Sequence, residues 1–272
     1  MQAIRQHIVF IGGGNMGSAI LGGLRRQGVA ADQITVVDPG EATRQRLHAQ
    51  YGVRTLPAAD ASLAQADVVV WAVKPQQFRE AATAAAPHLA RALHISVAAG
   101  ITTETLARWL GSPRVVRCMP NTPALVGQGM TGIYAAPSVS EQERALADAV
   151  LAPTGQRLWL EKEALIDSVT AISGSGPAYV FLWTEALIQG GMELGLSREQ
   201  AKQLAVQTFA GAVALMAQSD ESPEVLRQRV TSKGGTTHEA ISSMQANRVP
   251  EHIVEAVHAC HRRAAEMGRE FA

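Results

Sequence analysis

A run of apolar residues leading directly into closely spaced glycines is the feature that most constrains how this chain can fold. Residues 7–11 have the composition of a buried strand, and Gly12, Gly14 and Gly17 follow with the spacing G-x-G-x-x-G. In this pattern the first glycine permits a tight turn, and the second lets backbone approach a pyrophosphate. The third lets the next helix pack against the strand. Asn15 and Met16 begin that helix, whose free N–H groups favour phosphate. The stretch therefore predicts a dinucleotide-binding turn.

The rest of residues 1–161 alternates between strand-like and helix-like segments. Apolar runs predict strands at 34–37, 68–73, 94–97, 114–119, 130–135 and 157–160. Helices are expected at 41–50, from Thr102 to Leu110, and from Ser140 to Leu151, where Ser140 and Glu143 form a capping box. This alternation predicts an α/β fold with a Rossmann-type doubly wound sheet.

Three further segments are expected to line the nucleotide crevice, because each follows the carboxyl end of a predicted strand. Asp38 ends the second strand, where an acidic residue usually accepts hydrogen bonds from the adenosine ribose of NAD. Arg44 or Arg46 would instead meet a ribose 2′-phosphate or lie on a solvated helix face, which leaves coenzyme choice open. The other two segments are Ala72-Val73-Lys74-Pro75 and the stiff turn containing Asn121.

Residues 162–272 show helical periodicity only, which predicts a second, all-helical domain beginning at residue 162. The segment 173–177 is expected to interrupt it and open a long helix to about residue 194. Further helices are expected from Ser197, which forms a capping box with Gln200, to about Gln218, and from Pro250 to about Gly268. Apolar residues occupy more than one face of these helices. We therefore expect packing against a second subunit.

Composition excludes several classes of partner and setting. Lysines and arginines equal aspartates and glutamates at 24 each, so nothing favours nucleic acid or an anionic membrane. No apolar run reaches membrane-spanning length, and the first seven residues lead directly into a strand, which predicts no signal peptide. Cys118 and Cys260 are isolated, as expected in the reducing cytoplasm. His258, Cys260 and His261 lack a fourth partner, so no metal site is expected.

A second candidate site lies between the later helices. Thr236 and Glu239 have the T-x-x-E spacing of a capping box, so a helix is expected to begin just after Gly234-Gly235. Exposed backbone N–H groups, the hydroxyl of Ser232 and a helix N-terminus would together bind a small carboxylate. An ordinary capped turn is equally compatible with this spacing.

The segment Thr231-Ser232-x-Gly234-Gly235-x-Thr237 resembles the signature of the pyrroline-5-carboxylate reductases. Four other segments resemble the same family in the same order, so the similarity spans nearly the whole chain. They are the glycine turn with Asn15-Met16, Ala72–Pro75, Met119-Pro120-Asn121-Thr122-Pro123, and Ser173-Gly174-Ser175-Gly176-Pro177-Ala178-Tyr179. Lys233 departs from the family, which commonly has proline there.

The resemblance implies reduction of 1-pyrroline-5-carboxylate to L-proline with NADP(H) or NAD(H). It also implies a Rossmann domain followed by a helical domain that forms a homodimer, sometimes assembled into decamers. The loop from Thr231 to Thr237, including Thr236, would hold the substrate carboxylate, and Thr237 would lie near the ring nitrogen. We expect Ser232, Gly234 and Gly235 to anchor the carboxylate, and Thr237 to hydrogen-bond the nitrogen and relay a proton.

Two other functions are compatible with parts of the sequence. A 3-hydroxyacid dehydrogenase needs a base, and enzymes resembling this plan carry a lysine on the first long helix of the second domain. Residues 178–194 contain none. A non-catalytic dinucleotide sensor would explain the first site but not the second. Imine reduction also requires the second site to face the nicotinamide.

Overall fold

A computed structural model describes residues 4–271; residues 1–3, part of the segment for which no signal peptide is expected, and residue 272 lie outside it. The strands are β1 Ile8–Ile11, β2 Ile34–Val37, β3 Arg54–Leu56, β4 Val68–Trp71, β5 Leu93–Ser96, β6 Val115–Met119, β7 Gly129–Ala135 and β8 Gly155–Trp159. The helices are α1 Asn15–Arg26, α2 Glu41–Tyr51, α3 Pro75–Ala85, α4 Thr103–Leu110, α5 Glu141–Leu151, α6 Leu165–Val169, α7 Gly176–Glu193, α8 Arg198–Ala217, α9 Pro223–Arg229, α10 Thr236–Ala246 and α11 Val249–Glu270.

The eight strands form one sheet in the order β3-β2-β1-β4-β5-β6-β7-β8. All neighbours are parallel except β6 and β7, which are antiparallel. The chain builds outward from β1 to β3 and then returns to place β4 on the other side of β1. That reversal creates a crevice at the carboxyl ends of β1 and β4, where open α/β sheets bind ligands. The architecture confirms the predicted fold class.

Alternating residues of the central strands pack into two separate cores. Ile8 and Phe10 pack into the core on one face of the sheet, and Val9 and Ile11 into the core on the other. Strand side chains alternate between faces with period two, so a strand covered by helices on both sides must be apolar throughout. This explains the uninterrupted apolar sequence of β4.

Most of the predicted elements are present, with ends that differ by one to a few residues. Three elements were not predicted from the sequence: β3, an edge strand of only three residues, and the helices α3 and α9. α9 has seven residues and buries none of them, whereas α3 carries Phe78, Ala82 and Ala85 at helical spacing, a signal that could have identified it. The predicted interruption at residues 173–177 is confirmed: a π-helical turn, Thr170–Gly174, and a bend at Ser175 separate α6 from α7, which begins at Gly176. The π-helical form of the turn before the bend was not predicted.

Two compact units divide the chain. The first contains residues up to Ser175 together with those from Cys260 on, and the second runs from Gly176 to Ala259. The predicted boundary after residue 161 follows the last strand and stays a prediction. In the second unit α7 and α8 pack together, yet large apolar side chains remain exposed, including Phe181 at 62%, Leu182 at 66% and Leu215 at 70%.

Two absences concern residues 4–271 alone. No helix there is long and apolar enough to cross a membrane. In the same residues, no group of three or more histidine, cysteine, aspartate or glutamate side chains could hold a metal ion.

His94 on β5 is a buried titratable group within the apolar core. It is 1% exposed, and its Nδ1 accepts a hydrogen bond of 3.1 Å from Trp71 Nε1. The Nε2 atom has no partner among the described residues. Burial lowers the pKa of His94 to about 4, with a smaller contribution from Arg114. The folded chain therefore holds this imidazole neutral at pH values where an unfolded chain would protonate it.

This arrangement predicts acid sensitivity. The unfolded histidine titrates near pH 6.5, so the unfolded state alone gains protons as the pH falls from about 6.5 to about 4. We expect His94 to contribute a loss of about 3 kcal/mol in the free energy of unfolding across that window. Urea unfolding at several pH values should show a shallower pH dependence for His94→Gln. Equal slopes in the two chains would contradict this assignment.

Candidate functional site

The turn after β1 requires glycine at two positions because backbone approaches it closely. Gly12 has φ of +98°, and a Cβ there would lie 2.6 Å from the carbonyl oxygen of Ala72, after β4. A Cβ at Gly17 would lie 2.5 Å from the carbonyl oxygen of Gly12. The fold therefore excludes a side chain at either position. This contact brings the glycine turn and the predicted segment Ala72–Pro75 together.

Gly14 differs from its neighbours because nothing in the described residues fills the space beside it. A Cβ at Gly14 would have no heavy atom within 4 Å, and both Gly14 and Asn15 are exposed. Gly14 is also the N-cap of α1 and offers no side-chain acceptor to the helix. The first-turn N–H groups of α1 have no intrahelical acceptors, so they are available to an anion lying against Gly14. Met16, half-buried, completes this first turn.

The carboxylate of Asp38 organises the turn at the end of β2. Its Oδ2 accepts a hydrogen bond of 2.7 Å from Gly13 N, and its Oδ1 accepts one of 2.8 Å from Gly40 N. A carboxylate has about four lone-pair sites, so capacity for a ribose hydroxyl remains. Gly13 was missed by the sequence interpretation. Its position between two motif glycines and the clash of any Cβ there with Leu47 and Thr43 mark it as structural.

The two arginines that bear on coenzyme choice both lie beside this turn. Arg44 Nη1 donates to the carbonyl oxygens of Asp38 and Pro39 at 2.8 and 2.7 Å. Arg46 Nη2 donates to Gly13 O at 3.1 Å and to Ser18 Oγ at 3.2 Å. Both guanidinium groups therefore bond to the backbone of this turn, although Arg46 itself is exposed. They would place positive charge near the ribose of a bound dinucleotide.

The remaining predicted cofactor residues have distinct surroundings. Lys74 is the exposed N-cap of α3, and Pro75 occupies the first helical position. Asn121, after β6, uses both ends of its amide within the protein. Its Nδ2 donates to Ser173 O at 3.0 Å, and its Oδ1 accepts from Met130 N at 2.9 Å. Asn121 is thus anchored in the fold, unlike the open surface around Gly14.

The second candidate site is a tight turn that leads into α10. Gly235 N donates to Ser232 O at 3.0 Å, and Gly234 has φ of +74°. A positive φ at the third residue of a four-residue turn, with Lys233 not in the positive-φ region, is type II geometry. Ser232, Lys233 and Gly234 are exposed. The turn therefore presents backbone, a hydroxyl and an ammonium group to solvent at one place.

The predicted capping box at Thr236 and Glu239 is wrong. The N-cap is Gly235, Thr236 is the first helical residue, and no side chain caps the helix. The preceding turn ends at Gly235, which leaves that residue to start the helix. As a consequence, no side chain competes for the N–H groups of the first turn, and an external carboxylate can accept their hydrogen bonds.

The hydroxyl of Thr237 is an available polar side-chain group of this first turn, as is that of its neighbour Thr236. Thr237 is exposed, and its side chain makes no hydrogen bond to any residue between 4 and 271. Thr231, by contrast, donates its hydroxyl to Arg227 O at 2.7 Å and closes the end of α9. The predicted substrate residues Ser232, Gly234, Gly235, Thr236 and Thr237 therefore form one contiguous surface, with Thr231 holding its base.

Two family models match the chain. Residues 163–267 match the family described as pyrroline-5-carboxylate reductase dimerisation. Residues 7–100 match the family described as NADP oxidoreductase coenzyme F420-dependent. The first match contains the turn before α10, and the second contains the glycine turn, Asp38 and Lys74.

Relatives with similarity over the full length carry consistent names. Pyrroline-5-carboxylate reductase of Pseudomonas aeruginosa is 46% identical over 266 residues, which cover 97% of each chain. The structure of a pyrroline-5-carboxylate reductase from Coxiella burnetii has a TM-score of 0.90 at 38% identity and covers 97% of this chain and 99% of that one. A Plasmodium falciparum pyrroline carboxylate reductase with NADP bound has a TM-score of 0.86 at 30% identity, covering 97% and 98%.

The two glycines of the first turn should respond differently to alanine. Gly14→Ala fits the allowed backbone and open space, so we expect stability to be unchanged or raised by up to about 1 kcal/mol. The added methyl should raise the dissociation constant of the dinucleotide about tenfold or more, because it blocks approach to the helix N-terminus. Fluorescence titration with NADPH and NADH measures this effect.

Gly12→Ala is the matched comparison. It forces a left-handed alanine against the Ala72 carbonyl, and we expect a loss of at least about 2 kcal/mol in the free energy of unfolding. A Gly14→Ala chain that binds coenzyme normally would show that the open space is not part of the coenzyme site.

Lys233 occupies the second position of a type II turn, where proline is favoured. Lys233→Pro should therefore raise the free energy of unfolding by about 0.4–1 kcal/mol, because it restricts the unfolded chain without straining the turn. Urea unfolding measures this change, with Lys233→Gln as the control for loss of charge. Destabilisation by proline would rule out type II geometry.

Proposed function

This chain belongs to the pyrroline-5-carboxylate reductase family, and on that premise we propose which of its residues perform the reaction. The enzyme reduces 1-pyrroline-5-carboxylate to L-proline by NAD(P)H-dependent hydride transfer to the C=N carbon, the last step of proline biosynthesis. The observation that most directly supports the site assignment is the start of α10. An uncapped helix N-terminus, a turn with exposed N–H groups and an unpaired threonine hydroxyl lie together there.

The first site fits a nicotinamide dinucleotide. The space beside Gly14 and the uncapped start of α1 would hold the pyrophosphate, while Asp38 and the segment Ala72–Pro75 would border the nucleosides. When bound, the dinucleotide supplies the hydride. The protein contributes orientation: a rigid turn, braced by the contact between Gly12 and Ala72, fixes where the donor lies. Asn15 and Met16, at the start of α1, complete the proposed lining.

The second site would hold the substrate by its carboxylate. The N–H groups at Gly234, Thr236 and Thr237, the hydroxyl of Ser232 and the dipole of α10 all favour a negative charge at this point, while the N–H of Gly235 donates to Ser232 O and holds the turn in shape. Fixing the carboxylate on one side of a five-membered ring also fixes the position of the imine on the other. Orientation of this kind supplies a large part of the barrier reduction in two-reactant chemistry.

The reaction needs little acid–base machinery. Addition of hydride to the C=N carbon leaves an amine, and a proton must reach the nitrogen before or during that step. We propose that the Thr237 hydroxyl hydrogen-bonds the ring nitrogen and relays a proton to it, taking up another proton from solvent water in the same step so that the hydroxyl is restored, with Ser232 assisting at the carboxylate. A protonated imine is strongly electrophilic, so a positioned hydroxyl is sufficient and a dedicated strong acid is not required.

NADP(H) is the proposed coenzyme, with NAD(H) as the alternative. The match of residues 7–100 to an NADP oxidoreductase family and the NADP-bound Plasmodium falciparum structure support a nicotinamide dinucleotide. Arg44 and Arg46 place positive charge beside the ribose position and favour a 2′-phosphate. The carboxylate of Asp38 would repel a 2′-phosphate, although hydrogen bonds from two backbone N–H groups already offset part of its negative charge.

Assembly follows from the matched dimerisation family and from the surface of the second unit. We propose a homodimer formed through the apolar faces of α7 and α8, whose exposed side chains are those expected of an interface. Assembly into decamers is the further state to be tested by mass in solution. A cytoplasmic location is proposed from the cysteines: Cys118 is buried, Cys260 is half-buried, and both are free thiols.

Two rival activities can be separated from this one by assay. A 3-hydroxyacid dehydrogenase would oxidise alcohols and need a base, and α7 carries no lysine to serve as one. A dinucleotide sensor would bind coenzyme without consuming it. Coenzyme oxidation in the presence of 1-pyrroline-5-carboxylate, followed by its absorbance with both coenzymes, distinguishes all three.

Thr237→Ala should lower kcat about 10- to 100-fold while leaving the dissociation constant of the coenzyme unchanged, because the hydroxyl acts at the substrate nitrogen. Thr237→Ser, which keeps a hydroxyl, should retain most of the activity. Thr83→Ala on α3, where the hydroxyl bonds only to Arg79 O of its own helix, is the matched control. Normal turnover in Thr237→Ala would mean that water donates the proton.

A further inference from the structure

Alternate residues of β6 and its extension contact one segment, residues 163–175, from the same side. Arg117 on β6 is only 4% exposed, and it forms ion pairs with Glu163 at 3.0 Å and Asp167 at 3.3 Å. Glu163 also accepts hydrogen bonds from the N–H and hydroxyl of Thr103 at the start of α4. Side chains two residues apart on an extended chain share a face. The segment before the π-helical turn is thus fixed to the sheet and to α4.

Further along that face, the contacts reach the π-helical turn itself. A Cβ at Gly174 would lie 2.6 Å from the terminal methyl of Met119, so the turn packs tightly on this side chain. Asn121 then donates to the carbonyl oxygen of Ser173 at 3.0 Å and accepts from Met130 N on β7. Because i-to-i+5 turns are rare and occur often at functional sites, a dedicated support for one is informative.

The supported turn ends at the place where the chain leaves the first compact unit. Ser175 is the last residue of that unit before α7, and Cys260 is the first residue to return to it along α11. The hydroxyl of Ser175 lies 3.2 Å from Cys260 Sγ. The point where the chain leaves the first unit and the point where it re-enters are therefore side by side. Asn121 bonds to Ser173, two residues before the first of these points.

We propose that Asn121 is a positioning residue: it holds the π-helical turn and thereby sets the position from which α7 leaves the sheet domain. The sequence places Asn121 among the coenzyme contacts, which stays a prediction; in the structure both ends of its amide bind backbone. This inference rests on the proposed function, since hydride transfer depends on how firmly the protein holds the segments that lead to its substrate-binding residues. Reacting atoms must approach to about 3–3.5 Å, and displacement by about 1 Å can cost about 100-fold in rate.

Asn121→Asp tests the proposal because it separates the two hydrogen bonds. Aspartate keeps an acceptor for Met130 N but presents a carboxylate oxygen to the Ser173 carbonyl. We expect kcat to fall about 10- to 100-fold while the dissociation constant of NADPH stays within about twofold. The primary isotope effect on kcat with deuterated coenzyme should increase, as hydride transfer becomes limiting. Amide hydrogen exchange should accelerate at residues 170–176.

Gln33→Glu is the matched control. Gln33 is a half-buried side-chain amide that also bridges two backbone groups, donating to Ile4 O at 3.1 Å and accepting from Ala30 N at 3.1 Å. It precedes β2, at the end of the sheet opposite the crevice. The same amide-to-carboxylate change there should leave kcat, the isotope effect and exchange at residues 170–176 unchanged.

The outcomes separate this proposal from the proposed function. A weaker NADPH affinity with unchanged kcat in Asn121→Asp would overturn the positioning role and make Asn121 a direct coenzyme ligand. Unchanged exchange at residues 170–176 would overturn it whatever the activity. Absence of imine reduction by the unsubstituted chain would instead overturn the proposed function, and the exchange measurement would still decide whether Asn121 holds the turn.

Discussion

The close approach of the Gly12 turn to the backbone of Ala72 is the contact on which the arrangement of the nucleotide domain depends. It joins the carboxyl ends of β1 and β4, the neighbouring strands between which the sheet changes direction. A side chain at Gly12 would force these ends apart and with them α1 and α3. The same restriction that makes the turn tight leaves Gly14 projecting with nothing beside it. The way in which the central strands are joined therefore leaves open space at an uncapped helix N-terminus, an arrangement that suits an anion.

The helix N-termini differ in whether a side chain caps them. Four helices, α4, α5, α8 and α9, are capped by Thr102, Ser140, Ser197 and Ser222, whose hydroxyls satisfy first-turn N–H groups. The helices at the two candidate sites, α1 and α10, follow the N-caps Gly14 and Gly235 and have no side-chain cap, as is also true of α2, α3 and α6. A serine or threonine cap stabilises a helix by about 1 kcal/mol. Its absence leaves the first-turn N–H groups of α1 and α10 without a side-chain acceptor, so a missing cap permits ligand binding at these starts but does not by itself identify a site.

Sequence patterns predicted this fold well wherever one local rule decided the outcome. The boxes at Ser140 and Ser197 were confirmed because each residue is free to adopt the extended N-cap conformation. The same spacing at Thr236 failed because the preceding type II turn fixes Gly235 as the cap. Likewise, the role of Asn121 depends on partners nine and 52 residues away, which no local pattern contains. The site residues themselves were identified from motifs, and their roles stay predictions.

The proposed homodimer bears on the chemistry as well as on stability. The second unit has few buried side chains of its own, and α7 has none. Burial of apolar surface is the main source of order in a packed domain, so helices exposed to this extent gain rigidity from a partner. The turn at Ser232–Gly235 connects α9 to α10 within that unit, and its precision depends on those helices. If hydride transfer requires positioning and little acid–base chemistry, then association of two copies supplies part of the catalytic geometry.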